Sequence, residues 1–225
     1  MEKKNIAIIP ARGGSKRLPK KNILPLNGIP LIAYSINYAL DNGISDIYVS
    51  TDDLDIANVA KKNGANVIMR PAEISGDYAP TKDALKHAAL FLKQKGIDFN
   101  YFILLQPTNP LRPKNLLADS LSIMKKNNKN SLFTVSCINK KIGEIEDSFF
   151  KPYNYKYGER SQDIKKIYFE NGLLYITCKK MIENGIIMDD NSYPMIVDHI
   201  YGEIDIDTIR DFKLAEYIIN EKVDI

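Results

Sequence analysis

Between Ala11 and Asn22 the chain carries Arg12, Lys16, Arg17, Lys20 and Lys21 around the paired glycines Gly13 and Gly14, without one acid. A loop of this kind can turn several backbone N–H groups around a polyanion while its side chains neutralise the charge. Its spacing is neither the G-x-x-x-x-G-K-[ST] of a P-loop nor the G-x-G-x-x-G of dinucleotide folds. Far along the chain, Glu203-Ile204-Asp205-Ile206-Asp207 alternates acid and isoleucine. On a strand, Asp205 and Asp207 emerge on one face, where two carboxylates repel unless a cation lies between them. Hard oxygen ligands suit Mg²⁺, which takes one or two carboxylates plus substrate phosphates. A second reading stands beside this one. Asp207 or Thr208 caps an amphipathic helix over 209–220, and Asp205 is an ordinary exposed strand residue.

The charge distribution narrows the ligand. Residues 1–40 hold seven Lys/Arg against the single acid Glu2, a net of +6, while the whole 225-residue chain is +3 and residues 41–225 therefore carry −3. The basic excess is local to the N-terminal segment. A nucleic-acid binder spreads a basic face with interleaved aromatics, so nucleic acid is not the expected partner. A focused site for a small, highly charged anion such as a nucleoside triphosphate fits better. Cys137 and Cys178 lie inside apolar runs without C-x-x-C spacing. That points to buried small hydrophobes in a reducing, cytoplasmic setting and away from a zinc site. The charged first residues precede only four apolar ones, which does not make a signal peptide. No apolar run approaches the roughly 18 residues of a membrane span, so no membrane partner is expected.

The elements that must position these residues alternate. Strands are expected at 6–9, 46–50, 67–69, 101–105 and 132–138, with helices at 31–42, 54–63, 82–95 and 114–127. Gly43, Gly64 and Gly96 follow three of the helices, each suited to the left-handed residue that closes a helix. Thr51-Asp52-Asp53 and Thr81 stand where N-caps belong. This order argues an α/β fold, a mostly parallel sheet covered by helices on both faces. Ligands of such sheets sit outside the carboxyl ends of the strands. The basic loop and Gln106-Pro107-Thr108-Asn109-Pro110 both occupy such ends. At 225 residues and 44% hydrophobic, the chain is expected to form a single domain over 1–225. Residues 139–170 break the pattern: they carry Pro152, Gly158 and several tyrosines but no helical face. An aperiodic stretch this long is functional or an extension, and its tyrosines suit burial against a second subunit.

Taken together, these segments resemble the cytidylyltransferases that activate nonulosonic acids, typified by CMP-N-acylneuraminate synthetases. The resemblance runs through Ala11–Asn22, Val49-Ser50-Thr51-Asp52, Arg70-Pro71-Ala72-Glu73 with Asp77, and Leu104–Arg112. It continues through Arg160-Ser161-Gln162-Asp163, Asn171-Gly172 with Tyr175, and Asp205-Ile206-Asp207. It implies a Rossmann-like three-layer sandwich and a homodimer, with 139–170 as a small extended dimerisation segment that lines the partner's sugar site. The substrates implied are CTP and a nine-carbon 2-keto sugar acid, with Mg²⁺ as cofactor. Carried over by position, Arg12, Ser15, Lys16 and Lys21 would hold the triphosphate, and Asn22, Arg70, Asp77 and Thr81 would surround cytidine. Gln106, Arg160, Asn171 and Tyr175 would face the sugar acid, and Asp205 and Asp207 would hold the metal. Arg12, Lys21, Asp205 and Asp207 would form the catalytic group. His87 and His199 fall outside these motifs, and no protein general base emerges. The acid stays open among N-acetylneuraminic, legionaminic and pseudaminic acids. An Asp-x-Asp glycosyltransferase and a non-catalytic nucleotide-binding dimer are the alternatives.

Overall fold

The structure is a computed structural model and describes residues 4–221. Seven strands form the central sheet: β1 (Lys4–Pro10), β4 (Ile47–Thr51), β5 (Asn66–Met69), β6 (Phe99–Leu104), β7 (Ser131–Ile138), β10 (Ile167–Cys178) and β11 (Tyr193–Ile196). Their order is β11-β7-β10-β6-β1-β4-β5. The β6, β1, β4 and β5 neighbours pair in parallel, as do β7 and β11. β10 runs antiparallel to both β6 and β7. Two short hairpins, β2 (Pro25–Leu26) with β3 (Ile29–Pro30) and β8 (Gly143–Glu146) with β9 (Phe149–Pro152), stand apart from the sheet.

The unbroken apolar run of β1 reflects burial on both faces, as parallel sheets require. Ala7 and Ile9 pack with Ile32 and Ile36 of α1 (Leu31–Asp41), Ile56 of α2 (Leu54–Lys62) and Leu116 of α4 (Leu116–Lys126). Ile6 and Ile8 face the opposite layer, where Leu85 and Leu92 of α3 (Thr81–Gln94) and Ile182 of α5 (Lys179–Glu183) cover them. A third cluster lies at one end, where Leu18 of the basic loop packs with Ile204, Ile206 and the Phe212, Ala215 and Ile218 face of α6 (Ile209–Asn220). Among the described residues no helix is long and apolar enough to cross a membrane.

Four expectations need correction, while the cap expected within Thr51-Asp52-Asp53 is borne out. Thr81 does not cap α3: Pro80 holds the cap position and Thr81 opens the helix. Asp53 is the working cap of its triplet, accepting from the Ile56 N–H at the start of α2. Residues 139–170 are not aperiodic, since they contain the β8–β9 hairpin and the start of β10. Residues 204–207 are extended but form no sheet strand. The alternation still holds there, with Ile204 and Ile206 buried, Asp205 exposed and Asp207 half-exposed. The cysteines are half-buried.

Candidate active site

The first and fourth sequential strands of the sheet core, β1 and β6, are adjacent, while the chain runs from β1 to β4 and β5 on the other side. The sheet therefore reverses its winding between β1 and β6, and the crevice above their carboxyl ends is where such folds bind ligands. A cleft of about 210 Å³ opens there. The loops that follow both strands line it, and so do Arg70, Ala79 and Thr81 from the far side of β5 and Asp207 from before α6.

The basic loop is held by its backbone. The Ala11 N–H donates to the Ser50 carbonyl at 2.9 Å, and the Gly13 N–H donates to Asp52 Oδ1 at 3.0 Å. A Cβ on Gly13 would lie 2.5 Å from Asp53 Oδ2, so only glycine lets the loop pass this close to the cap of α2. Asn22, buried, reaches back and donates to the Arg12 carbonyl at 2.9 Å. Leu18 anchors the outer turn in the third cluster.

The loop's five cations all meet acids. Arg12 Nη1 lies 2.7 Å from Asp77 Oδ1, and Lys16 pairs with the same carboxylate. Arg17 Nη2 and Lys21 Nζ lie 2.6 and 2.8 Å from the two oxygens of Asp207, and Lys20 pairs with Asp55 at 3.1 Å. The Lys16 hydrogen bond, followed by that of Arg12, outweighs burial and holds the Asp77 carboxyl below the usual range. Asp77 thus engages the cations assigned to triphosphate. Arg70 donates to the Ser50 carbonyl at 2.7 Å, and its buried Nε has no partner. Burial lowers its pKa.

Asp207 stands on the opposite wall of the cleft, two residues after Asp205. Asp205 keeps an exposed edge, yet the protein packed around its carboxyl withdraws it from water and pushes its pKa up; the Thr108 hydroxyl bond opposes this, and Asp207 adds to it. The cap question resolves in favour of Thr208. Its hydroxyl accepts from the Asp211 N–H while the Asp211 carboxylate accepts from the Thr208 N–H, a complete capping box. Asp207 is left facing Arg17 and Lys21. Among the described residues no group of three or more His, Cys, Asp or Glu could hold a metal ion. Asp205 and Asp207 are hard oxygen donors of the kind that fits Mg²⁺, a cation that takes one or two carboxylates and completes its shell with substrate oxygens and water.

The family model for cytidylyltransferases matches residues 6–224. The chain belongs to the cytidylyltransferase family. A pseudaminic acid cytidylyltransferase of Campylobacter jejuni is 36% identical over 223 residues, covering 96% of each chain. A CMP-N,N'-diacetyllegionaminic acid synthase of Legionella pneumophila is 35% identical over 222 residues, covering 95% of each. An N-acylneuraminate cytidylyltransferase of Streptococcus agalactiae is 32% identical over 234 residues, covering 97% of this chain and 55% of that one. Among solved structures, a CMP:2-keto-3-deoxy-manno-octonic acid synthetase complexed with CTP shares the fold. Its TM-score is 0.68 at 16% identity, covering 98% of this chain and all of the other.

In this cytidylyltransferase the cleft gathers Arg12, Ser15, Lys16, Lys21, Asn22, Arg70, Thr81, Gln106 and Asp207. Asn171, Tyr175 and Arg160, expected at the sugar, do not line this cleft. Asn171 is buried: its Oδ1 accepts from Thr134 and the Leu173 N–H, and its Nδ2 donates to Ser136. Tyr175 is buried on β10 and donates to Glu170 at 3.1 Å. Burial, then that carboxylate, raises its hydroxyl far above the usual value. Arg160 is exposed on the turn after the β8–β9 hairpin and pairs with Asp163 at 2.7 Å.

The sequence reading assigned no role to Arg17, Thr108, Asn109 or Arg112. Arg112 is 6% exposed and donates to the carbonyls of Leu173 (2.6 Å) and Gln106 (2.8 Å) and to the Ser35 hydroxyl (3.1 Å). Burial brings its pKa to about 10, so it stays charged at neutral pH and fixes the backbone of Gln106. The cluster of loop cations was the available signal for Arg17. Thr108, Asn109 and Arg112 fall within the strand-end segment that the sequence singled out, but nothing local marked their individual partners.

Proposed function

We propose that this cytidylyltransferase transfers CMP from CTP to the anomeric hydroxyl of a nonulosonic acid and releases pyrophosphate. The observation that carries the reading is the pairing of Arg12, Lys16, Arg17 and Lys21 with Asp77 and Asp207 across the switch-point cleft. The relatives named for three different nonulosonic acids supply the acceptor class. An entering triphosphate offers the loop cations stronger partners, because phosphate oxygens carry more charge than a carboxylate. The cations move from acid to phosphate, and Asp207 is freed toward the substrate.

The anomeric hydroxyl oxygen attacks the α-phosphorus of CTP and gives up its proton to solvent water. A new P–O bond forms, the bond to the β-phosphate oxygen breaks, and pyrophosphate leaves with that electron pair. No covalent enzyme intermediate is needed, so the residues act by positioning and charge neutralisation. Arg12, Ser15 and Lys16 hold the β- and γ-phosphates. Lys21, whose side chain is only 11% exposed, acts where charge develops on the leaving group. Arg70, Asn22 and Thr81 border the base. Asp205 and Asp207 would hold Mg²⁺, which supplies Lewis-acid polarisation of the phosphoryl oxygens. Gln106, fixed by Arg112, faces the acceptor.

The working unit is a homodimer. The β8–β9 hairpin and the turns beside it expose Ile145 (79%), Phe149 (73%), Tyr153 (70%) and Tyr157 (72%), a patch suited to a second copy. Arg160 on the same excursion would then reach the partner's cleft, where its planar fork suits a sugar carboxylate. The cytoplasm is the inferred location. Pyrophosphate release in CTP and Mg²⁺ is measured with pseudaminic, legionaminic and N-acetylneuraminic acids in turn. Release with at least one acid, and far less with UTP, is expected. No release with any of them contradicts the reading.

A further inference from the structure

Asn109 lies outside the cleft lining and is 1% exposed, yet it ties three separate parts of the site together. Its Nδ2 donates both to the Asn171 carbonyl at 3.0 Å and to the Ile204 carbonyl at 2.9 Å. Its Oδ1 accepts from the Thr108 hydroxyl at 3.3 Å, and that hydroxyl also reaches the Asp205 carboxylate. One residue earlier, the Thr108 carbonyl accepts from the Ile206 N–H at 2.8 Å. The backbone on both sides of Asp205 is therefore held by Thr108 and Asn109, although residues 204–207 belong to no sheet. Gly172 is shaped to admit the clamp: at φ 72° its Cβ would fall 2.6 Å from Asn109 Oδ1. Below the clamp, Asn171 carries the chain of bonds into Thr134 and Ser136 of β7, and Ser136 donates onward to the Val197 carbonyl at 3.0 Å.

We propose that Asn109 is the positioning residue for the metal-binding carboxylates: it fixes the extended 204–207 segment so that Asp205 and Asp207 stand at metal-binding geometry opposite the basic loop. The inference rests on the reading of Asp205 and Asp207 as Mg²⁺ ligands. Its physical basis is that a segment without ladder hydrogen bonds keeps its place only where other donors satisfy its carbonyls, and Asn109 supplies that donor to Ile204. Outer partners of metal ligands typically change affinity or activity by about 10–100-fold when lost.

The test compares the parent protein with Asn109→Ser, whose single hydroxyl can serve at most one of the two carbonyls, and with Thr108→Val, which keeps shape and removes the hydroxyl. Asp207→Asn is the control. Mn²⁺ binding is read by the loss of its free EPR signal in the presence of a non-hydrolysable CTP analogue, beside CTP-analogue affinity in EDTA and the thermal midpoint. Asn109→Ser is expected to weaken Mn²⁺ by about 10–100-fold and leave metal-free nucleotide affinity unchanged, with Thr108→Val moving in the same direction. Turnover should need correspondingly more Mg²⁺. If Asp207→Asn loses Mn²⁺ while both other variants bind it normally, Asn109 is a purely structural clamp and the inference falls. If Asp207→Asn also binds Mn²⁺ normally, the metal reading itself falls.

Discussion

At the scale of single residues, the site separates two acids and a threonine that the sequence left entangled. Thr208 caps α6, and Asp207 instead faces Arg17 and Lys21. Thr208→Ala should therefore lower stability by about 1 kcal/mol, the usual cost of a lost cap, with turnover per folded molecule preserved. Denaturant unfolding beside a turnover assay checks this, and a turnover loss out of proportion to stability would contradict it. Arg112 shows the opposite economy. A buried guanidinium with no carboxylate among its hydrogen-bond partners is costly, and it is kept because its fork reaches Leu173, Ser35 and Gln106 at once. That fork holds the Gln106 carbonyl in place where the chain leaves β6.

At the scale of elements, the alternating strands and helices of the first 140 residues were legible because each buries a face in the period of its own geometry. β10 was not. Its ladder with β7 shifts register between Glu170 and Tyr175, so Asn171 and Gly172 interrupt the alternation that would have marked one long strand. β8 and β9 were invisible for a different reason: their side chains are almost all exposed in the protomer, so no inside–outside pattern exists. The basic loop was readable from its local charge. Asn109 and Arg112 were not, since their partners lie far along the chain, at Asn171 and Ile204 for one and at Leu173 for the other. The bonds of Asn171 to Thr134 and Ser136 were not legible either, because a motif position says nothing about which way a side chain points. If the hairpin is the dimer surface, the double change Ile145→Glu with Phe149→Glu should give a folded monomer of 25.5 kDa by light scattering. It should also lose most turnover, because Arg160 no longer reaches a second cleft. A dimer that persists with full activity would contradict this.

At the scale of the whole molecule, the third core cluster joins Leu18 of the basic loop to Ile204, Ile206 and α6. The two charged walls of the cleft thus share one small core, and they move only if that core repacks. The fold also carries a pH liability away from the chemistry. His87 on α3 has a buried Nδ1 without a partner, and burial together with the Arg70 charge pushes its pKa below the ordinary 6.5. The unfolded chain then binds a proton more readily than the native one. Stability from this source is fully present above pH 6.5 and is lost as pH falls through that value toward the lowered native pKa. Thermal midpoints between pH 7.5 and pH 5 (a range of about two and a half units around that value) should fall less steeply in His87→Gln than in the parent. Identical slopes would remove His87 as the cause.

The central claim is that the basic loop and the Asp205–Asp207 pair act together on CTP. The most direct measurement is pyrophosphate release by Asp207→Asn as a function of Mg²⁺, beside its thermal midpoint. Asparagine keeps the shape and removes the charge. The exposed Arg17 pair is worth at most about 1 kcal/mol, and the asparagine carbonyl oxygen still accepts from the mostly buried Lys21, so the midpoint should fall far less than turnover. A metal that contributes several kcal/mol to the reaction should take turnover down by orders of magnitude with it, at about 1.4 kcal/mol per tenfold. Near-normal turnover with an unchanged Mg²⁺ requirement would contradict the account.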